Sequence, residues 1–228
     1  MTDTDEEEKL ILSAYEADSS ELFPKILDLH VEDGARIADC IHGRGVFWRN
    51  VDLEKRDFTL YTSDIVQKTD SLTMLGDCRA LPLQKNSLDC MVLDPPYAEG
   101  YYRRNREQLA GNGSYESFRQ AYSNEQEYDG AGKYHQAVLH SYFEGGWEAK
   151  RVLNDDGTLI IKIMDEVSAN GQELAHIQVT NFYKRKLDFY SRDLFIQMRN
   201  ERPTVCGMHE QVHARKNHSY FLVFEMGS

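Results

Sequence analysis

The chain has 228 residues, a formal net charge of −12 at pH 7 and 41% hydrophobic side chains. This length suits one good-sized core rather than two full domains. The acidic balance excludes a protein that coats nucleic acid by overall charge alone. No run of 18 apolar residues is present, and the first residues, MTDTDEEEK, are acidic where a secretory signal is basic and then apolar. We therefore expect a soluble, cytoplasmic protein.

The cysteines and histidines do not form a recognisable ligand set. The four cysteines are far apart and form no CxxC pair. They are Cys40, Cys78, Cys90 and Cys206. His209, His213 and His218 lie in a polar segment without a matching cluster of carboxylates or cysteines. We predict packed, reduced thiols and no metal site.

The sequence divides into a leader and one domain. Residues 1–20 carry many acids and few apolar residues, which predicts a loosely ordered leader. Residues 21–228 have the pattern of a folded domain. Four of its apolar segments run into an acid and predict buried strands. They are RIADCI (36–41), DFTLYTSDI (57–65), SLTMLGD (71–77) and SLDCMVLD (87–94).

The second half continues the alternation of strands and helices. Helical spacing is found over 133–153 and 172–187, and strand patterns over 154–164, 193–199 and 219–225. This order predicts a Rossmann-like α/β domain, with a mostly parallel seven-stranded sheet and helices on both faces. The last two strands have no convincing helix between them, which predicts an antiparallel edge strand.

One segment interrupts the alternation. Residues 98–132 are rich in glycine, serine, amides and charge. An insert of about 35 residues is uncommon in a compact domain unless it is a lid, a binding loop or a disordered segment. We expect a flexible insert at this position.

The acids at the predicted strand ends indicate a binding site, because ligands of open parallel sheets bind at the carboxyl ends of the strands. Asp39 is followed by glycines at 43 and 45, which allow a tight turn close to a ligand. The full G-x-G-x-x-G dinucleotide motif is absent because position 48 is Trp. Asp64 follows the second strand, where an acid commonly binds ribose hydroxyls. Asp77 and Asp94 follow the third and fourth strands.

Each acid alone is equally typical of a helix cap or a turn. Their succession, DCIHGRG, TSDI, LGDCRALP and LDPPY, resembles the S-adenosylmethionine-dependent amino-methyltransferases of DNA, over roughly residues 21–225. The resemblance implies S-adenosylmethionine as cofactor. It places Asp39 and the Gly43–Gly45 turn at the methionine part, Asp64 at the ribose, and Asp77 with Cys78 at the adenine. ELFPKIL, with Phe23 and Lys25, resembles the helical element that closes over the cofactor.

The DPPY motif, Asp94, Pro95, Pro96 and Tyr97, is the catalytic motif of that family. An exocyclic amine on adenine or cytosine donates its lone pair into the ring and is a poor nucleophile. Two acceptors aimed at its hydrogens, the Asp94 carboxylate and the Pro95 carbonyl, favour a pyramidal nitrogen as the methyl bond forms. The prolines stiffen the carbonyl, and Tyr97 is expected to stack on the base. C5-cytosine methylation is disfavoured because no proline precedes a cysteine.

A base inside a duplex cannot reach such a pocket, so the target is flipped out or unpaired. We expect Tyr101, Arg103, Arg104 and Arg106, at the start of the insert, to contact phosphates. Two further basic stretches, 183–189 and 213–218, are either nucleic-acid contacts or ordinary solvated surface.

Several functions stay open at this stage. The predicted activity is methylation of a DNA base, with adenine N6 favoured over cytosine N4. The alternatives are an RNA adenine-N6 methyltransferase and an inactive, cofactor-binding partner subunit, with a small-molecule N-methyltransferase third. The chain has little room for a separate target-recognition region, so recognition is expected to come from the insert at 98–132, from residues 165–218, or from a second copy or a partner subunit.

Overall fold

The computed structural model describes residues 10–97, 135–199 and 211–227. The strands are β1 (Ala14–Glu16), β2 (Arg36–Asp39), β3 (Thr59–Asp64), β4 (Met74–Leu75), β5 (Leu88–Leu93), β6 (Leu153–Ile163), β7 (Glu166–Ser168), β8 (Gly171–Glu173), β9 (Phe189–Met198) and β10 (His218–Met226). The α-helices are α1 (Ser19–His30), α2 (His135–Val152) and α3 (Ala175–Lys186), and a 3-10 turn spans Val46–Trp48. The predicted insert at 98–132 lies outside the described residues.

Eight strands form one sheet in the order β1-β9-β10-β6-β5-β2-β3-β4, and β7 and β8 form a separate hairpin. Only β10 runs antiparallel to its neighbours β6 and β9 within this sheet. The predicted Rossmann-like α/β fold is confirmed. Two details differ: β1 adds an eighth strand, and β10 lies inside the sheet rather than at its edge. β9 and β10 are antiparallel neighbours, as expected for strands joined without a crossover helix.

Side chains alternate between two cores, one on each face of the sheet. Cys90 and Val92 of β5 pack against α1 and the 3-10 turn. Met91 and Leu93 of the same strand pack against α2 and α3. Helices therefore cover both faces, as the sequence predicts.

The leader prediction is wrong for its last residues. β1 pairs in parallel with β9, and α1 already begins at Ser19. Asp18 and Glu21 form a reciprocal capping box at the start of α1, a local signal in DSSE that predicts a helix start. Residues 1–9 lie outside the described part of the chain.

Pro24 lies inside α1, where it cannot donate a hydrogen bond to the carbonyl of Ser20. The side-chain amide of Asn50 donates to that carbonyl instead, at 3.0 Å. This contact links the helix to the segment after the 3-10 turn, so the cost of the proline is partly offset by a tertiary hydrogen bond.

One predicted strand is shorter than expected, and a hairpin was missed. The third strand contains only Met74–Leu75, and the segment after Gly45 forms one 3-10 turn. The β7–β8 hairpin turns at Ala169 and Asn170, which both have positive φ. Alanine is unusual at such a position, but the Asn170–Gly171 pair is a local turn signal from which the hairpin could have been predicted. Within the described residues, no helix has the length and apolarity needed to cross a membrane.

Gly145 and Gly146 weaken the helical pattern of α2, yet the helix runs through both. Their missing side chains allow close packing. A Cβ at Gly145 would lie 2.9 Å from the Leu93 side chain, and one at Gly146 would lie 2.7 Å from Tyr183 and Leu187. The glycines therefore set how closely α2 approaches β5 and α3.

Gly146→Ala tests this packing. Alanine is about 1 kcal/mol better than glycine inside a helix, but overpacking a dense core costs about 1–3 kcal/mol. We expect a net loss of about 1–2 kcal/mol in the free energy of unfolding, measured by urea denaturation. The loss should be smaller in a Leu187→Ala background, where the added methyl has room. A Gly146→Ala protein more stable than the wild type would contradict this account.

Candidate functional site

The carboxyl ends of the parallel strands meet at one edge of the sheet, where they line a cavity of about 290 Å³. It brings together the four acids predicted from the strand ends, Asp39, Asp64, Asp77 and Asp94. Gly43, Cys78, Pro95, Pro96 and Tyr97 also line it. The parallel topology therefore joins segments that are up to 58 residues apart in the sequence.

Asp39 ends β2 and is buried, with a relative exposure of 2%. Its Oδ2 accepts hydrogen bonds from His42 Nδ1 at 2.8 Å and from Trp48 Nε1 at 2.7 Å. Its Oδ1 is also buried, but has no partner within the described residues. Because buried acceptors are almost always paired, this oxygen is suited to accept from a ligand in the cavity.

The glycine turn shapes the cavity rather than presenting all its N–H groups to it. Gly43 N–H donates to Asp64 Oδ2 at 3.0 Å, which links the ends of β2 and β3. Gly45 has φ +65°, and a Cβ there would lie 2.9 Å from His42 Nε2. Gly45 is not among the cavity-lining residues, so its role is to leave space for the ring that orients Asp39.

The other two cofactor acids are held by their neighbours. Asp64 is buried, and Lys68 Nζ lies 3.8 Å from its carboxylate. Asp77 accepts from the Arg79 guanidinium at 2.5–3.0 Å. Burial opposes ionisation of Asp77, but the hydrogen bonds from Arg79 outweigh it and lower the pKa of Asp77. Burial raises the pKa of Cys78 to about 12, so its thiol stays protonated.

Asp94 follows β5 directly and carries the second unpaired acid oxygen. The residue as a whole is half-buried, but its Oδ1 is shielded from solvent and has no partner within the described residues. Desolvation raises the pKa of Asp94 to about 6, against the opposing attraction of Lys162. Above that pH the carboxylate is ionised and accepts hydrogen bonds only.

The two prolines stiffen the backbone carbonyl that follows Asp94. The Tyr142 hydroxyl lies 2.9 Å from the Lys162 carbonyl and 3.5 Å from the Pro95 carbonyl. Its single proton is better placed for the nearer acceptor, which leaves the Pro95 oxygen able to accept from a ligand. Arg199 Nη2 donates to the Tyr97 hydroxyl at 2.6 Å and restrains this ring at the cavity wall.

Two residues assigned to the cofactor by resemblance do not reach the cavity. Phe23 is fully buried and stacks on Phe47 with ring centroids 4.9 Å apart. The Lys25 ammonium lies 5.7 Å from the centre of the Tyr15 ring. Both side chains take part in the packing of α1, and neither is among the residues that line the cavity. The predicted binding roles of Phe23 and Lys25 are not supported.

Several lining residues were missed from the sequence, among them Lys162, Ser141 and Arg199. Lys162 lies on β6 and is only 9% exposed, Ser141 Oγ is buried with no partner in the described part of the chain, and Arg199 follows β9. Lys162 carried a detectable signal, because a lysine inside the apolar run LIIKIM has to find a polar environment. Ser141 and Arg199 had no comparable signal, since their positions depend on tertiary contacts.

The basic stretches fall at different places. One stretch ends α3 immediately before β9 starts, at the end of the strands opposite the cavity, and contains Lys184, Arg185 and Lys186. Residues 213–217 precede β10 and lie on the cavity side, where Arg199 N–H donates to the Asn217 carbonyl at 2.8 Å. The predicted phosphate contacts Tyr101, Arg103, Arg104 and Arg106 lie outside the described residues.

The raised pKa of Asp94 predicts a pH-dependent cost to stability. Because its pKa is higher in the fold than the ordinary 3.8, the folded state loses stability as pH rises from 3.8 through about 6. We expect Asp94→Asn to be more stable than the wild type by about 1–3 kcal/mol at pH 7. The advantage should shrink as pH falls to 4. Urea denaturation across this pH range measures the effect, and Asp28→Asn is the control at an exposed position. A stability difference between Asp94→Asn and the wild type that does not change with pH would contradict this prediction.

Comparisons with known proteins agree with the fold. No family model matches the sequence, and no curated protein matches it. The chain superposes on 1,6-didemethyltoxoflavin-N1-methyltransferase from Burkholderia thailandensis, solved with 1,6-didemethyltoxoflavin and S-adenosylhomocysteine, with a TM-score of 0.52 and 11% identity, covering 93% of this chain and 80% of that one. It superposes on TrmN from Thermus thermophilus with a TM-score of 0.50 and 15% identity, covering 90% of this chain. It spans 48% of the TrmN chain.

These similarities, together with the strand order, establish the architecture. The chain has the Rossmann-like fold of methyltransferases, with a cavity at the carboxyl ends of its parallel strands. Fold alone does not define a reaction, so the activity has to be argued from the side chains of the cavity.

Proposed function

We propose that the protein transfers a methyl group from S-adenosylmethionine to the exocyclic amine of a base in DNA, with adenine N6 favoured over cytosine N4. One observation carries the proposal. Asp94 and Pro95 line the cavity, and the Asp94 Oδ1 is solvent-shielded and has no partner within the described residues. A primary amine on an aromatic ring donates two hydrogen bonds and matches two acceptors.

The cavity residues fit the cofactor. The unpaired Asp39 Oδ1 is suited to the methionine ammonium, and Asp64 at the end of β3 to the ribose hydroxyls. Asp77 and Cys78 also line the cavity, and the resemblance assigns them to the adenine ring. The cofactor supplies a methyl group on a sulfonium, which already carries its own leaving group.

The protein's own work is then alignment, acceptor placement and water exclusion. Ionised Asp94 and the Pro95 carbonyl accept from the two amine hydrogens and favour a pyramidal nitrogen. As the nitrogen becomes positive, the nearby carboxylate stabilises it and can accept the proton that it must lose. A pKa of about 6 keeps Asp94 ionised at neutral pH. Tyr97, restrained by Arg199, is placed to stack on the base.

A nucleic-acid substrate is supported by the cations around the cavity. Arg44 and Arg199 line it, although the chain as a whole is acidic. Lys68 and Arg79 also line it but lie against Asp64 and Asp77, and Lys162 is buried. Residues 213–217 add Arg215 and Lys216 on the same side. A local basic surface of this kind suits a phosphate backbone. Entry of a base requires that it be flipped out or unpaired.

The test incubates the protein with labelled S-adenosylmethionine and either DNA, RNA or no polymer, then digests the product and identifies the methylated base. We expect label in N6-methyladenine from DNA, absent with Asp94→Ala. Label in RNA would favour the RNA alternative. Label in neither polymer would favour the inactive-partner alternative, and mixing experiments with a partner subunit would then be the next step. Light scattering with and without DNA would show whether a second copy completes the site.

A further inference from the structure

The buried lysine of β6 lies directly beside Asp94. Leu93 of β5 pairs with Ile161 of β6, so Asp94 and Lys162 follow as neighbours on strands that lie about 4.8 Å apart. The side chains of Asp94 and Lys162 point to the same face of the sheet. Val92 and Ile160 point into the α1 core, and alternation brings Asp94 and Lys162 to that face two residues later. Both line the cavity.

The Lys162 side chain is held in place by its surroundings. Its ammonium donates to Ser19 Oγ at 2.6 Å and lies near the Phe47 and Phe221 rings, 5.3 and 5.4 Å from their centres. Ser19 in turn donates to Gln197 Oε1 at 3.1 Å. This buried network orients the lysine before any ligand binds.

Most of the donor capacity of this ammonium is unused. An ammonium has three N–H donors, and within the described residues its one hydrogen bond is to Ser19. Lys162 is 9% exposed, so burial lowers its pKa, while Asp94 opposes this shift. Within the part of the chain that the structure describes, Lys162 has unused donors and Asp94 an unpaired oxygen, and both residues line the same cavity.

Adenine and cytosine both present the complementary pair. In each base the exocyclic amine, a donor, is bonded to a carbon next to a ring nitrogen, an acceptor: N1 in adenine and N3 in cytosine. We propose that Lys162 donates a hydrogen bond to this ring nitrogen while Asp94 accepts from the amine. This inference rests on the proposed function and adds a residue that recognises the base.

The arrangement has a consequence for specificity. A base whose ring position next to the oxo group carries N–H instead of an acceptor, as N3 does in uracil and thymine, meets a cation that it cannot satisfy. Unpaired buried donors are strongly disfavoured, so the pair selects adenine and cytosine over these two bases.

The Lys162 ammonium has an alternative role. At the Ser19 end of α1 it would bind the carboxylate of the cofactor. The capping box of Asp18 and Glu21 already places two acids at this helix start. A further anion there is disfavoured by these charges, whereas a neutral ring nitrogen is not. The test separates the two roles.

The test combines Lys162→Met with substrates that contain adenine or 1-deazaadenine, in which C–H replaces N1. With the wild type we expect kcat/KM to fall roughly 10- to 100-fold on 1-deazaadenine, the value of a hydrogen bond to a charged donor. Lys162→Met should lose a similar factor on adenine, and its ratio between the two substrates should fall to the part that comes from the effect of the deaza base on the amine. The deaza base also changes the amine itself, and comparing the two ratios removes that effect.

Controls keep the result interpretable. Methionine has a similar length and suits an apolar environment, so we expect Lys162→Met to fold, which thermal unfolding checks. Lys162→Gln, with a neutral donor, should restore part of the discrimination. Lys150→Met, the same change on the exposed side of α2, should behave as the wild type.

Two outcomes would overturn the inference. Lys162→Met that discriminates against 1-deazaadenine as strongly as the wild type would show that the ring nitrogen is not its partner. If Lys162→Met binds S-adenosylmethionine more weakly, and this accounts for its lower kcat/KM, the ammonium acts on the cofactor. If the wild type methylates adenine and 1-deazaadenine with the same kcat/KM, only this inference fails. If it methylates no base, the proposed function fails as well.

Discussion

Asp94→Ala is expected to lower kcat for methyl transfer by about 10²- to 10³-fold, the usual cost of losing one group that stabilises developing charge. Asp94 is the acceptor closest to this role because its Oδ1 is shielded and unpaired at the cavity. The measurement is single-turnover methylation of a DNA substrate with excess enzyme, which isolates the chemical step from product release.

The affinity for S-adenosylmethionine should stay within about 2-fold of the wild type, since the carboxylate acts on the amine. Asp28→Ala removes the same charge from an exposed position and serves as the matched control. A variant that keeps wild-type kcat would remove Asp94 from the reaction. A variant that keeps kcat at saturation but binds cofactor poorly would place it at the cofactor instead.

Asp39→Asn is expected to weaken S-adenosylmethionine binding about 10- to 100-fold, as for loss of a hydrogen bond between charged groups. Asparagine has one acceptor oxygen, and His42 and Trp48 both donate to the Oδ2 side of the carboxylate. If the asparagine keeps that oxygen toward them, its NH₂ group faces the cavity at the place of the unpaired Oδ1. A donor would then face the cofactor ammonium.

Isothermal titration with S-adenosylmethionine and S-adenosylhomocysteine measures this effect directly. Asp28→Asn controls for the change in net charge. Unchanged affinity in Asp39→Asn, with an unchanged melting temperature, would exclude Asp39 from the cofactor site. Because the test measures binding only, its result stands whether the methyl acceptor is DNA or RNA.

Much of the fold could be predicted from the sequence because strand and helix periodicities are local. The strand ending at Asp94 and the helix at 133–153 both appear within a residue or two of the predicted positions. The cofactor-binding roles of Phe23 and Lys25, which the structure does not support, have an identifiable cause. Phe23 and Lys25 were assigned by resemblance of a short stretch, whereas the packing of α1 determines which of its side chains reach the cavity.

The sequence by itself determined the set of acids and the DPPY motif, since a strand that ends at a carboxylate is visible in consecutive residues. Only the tertiary structure decided which oxygens are free. Asp39 Oδ2 is bound by His42 and Trp48, Asp77 is bound by Arg79, and Asp94 Oδ1 is unpaired. It also brought Lys162, 68 residues further along the chain, next to Asp94. The register between parallel strands depends on the packing of both faces of the sheet, and no local pattern encodes it.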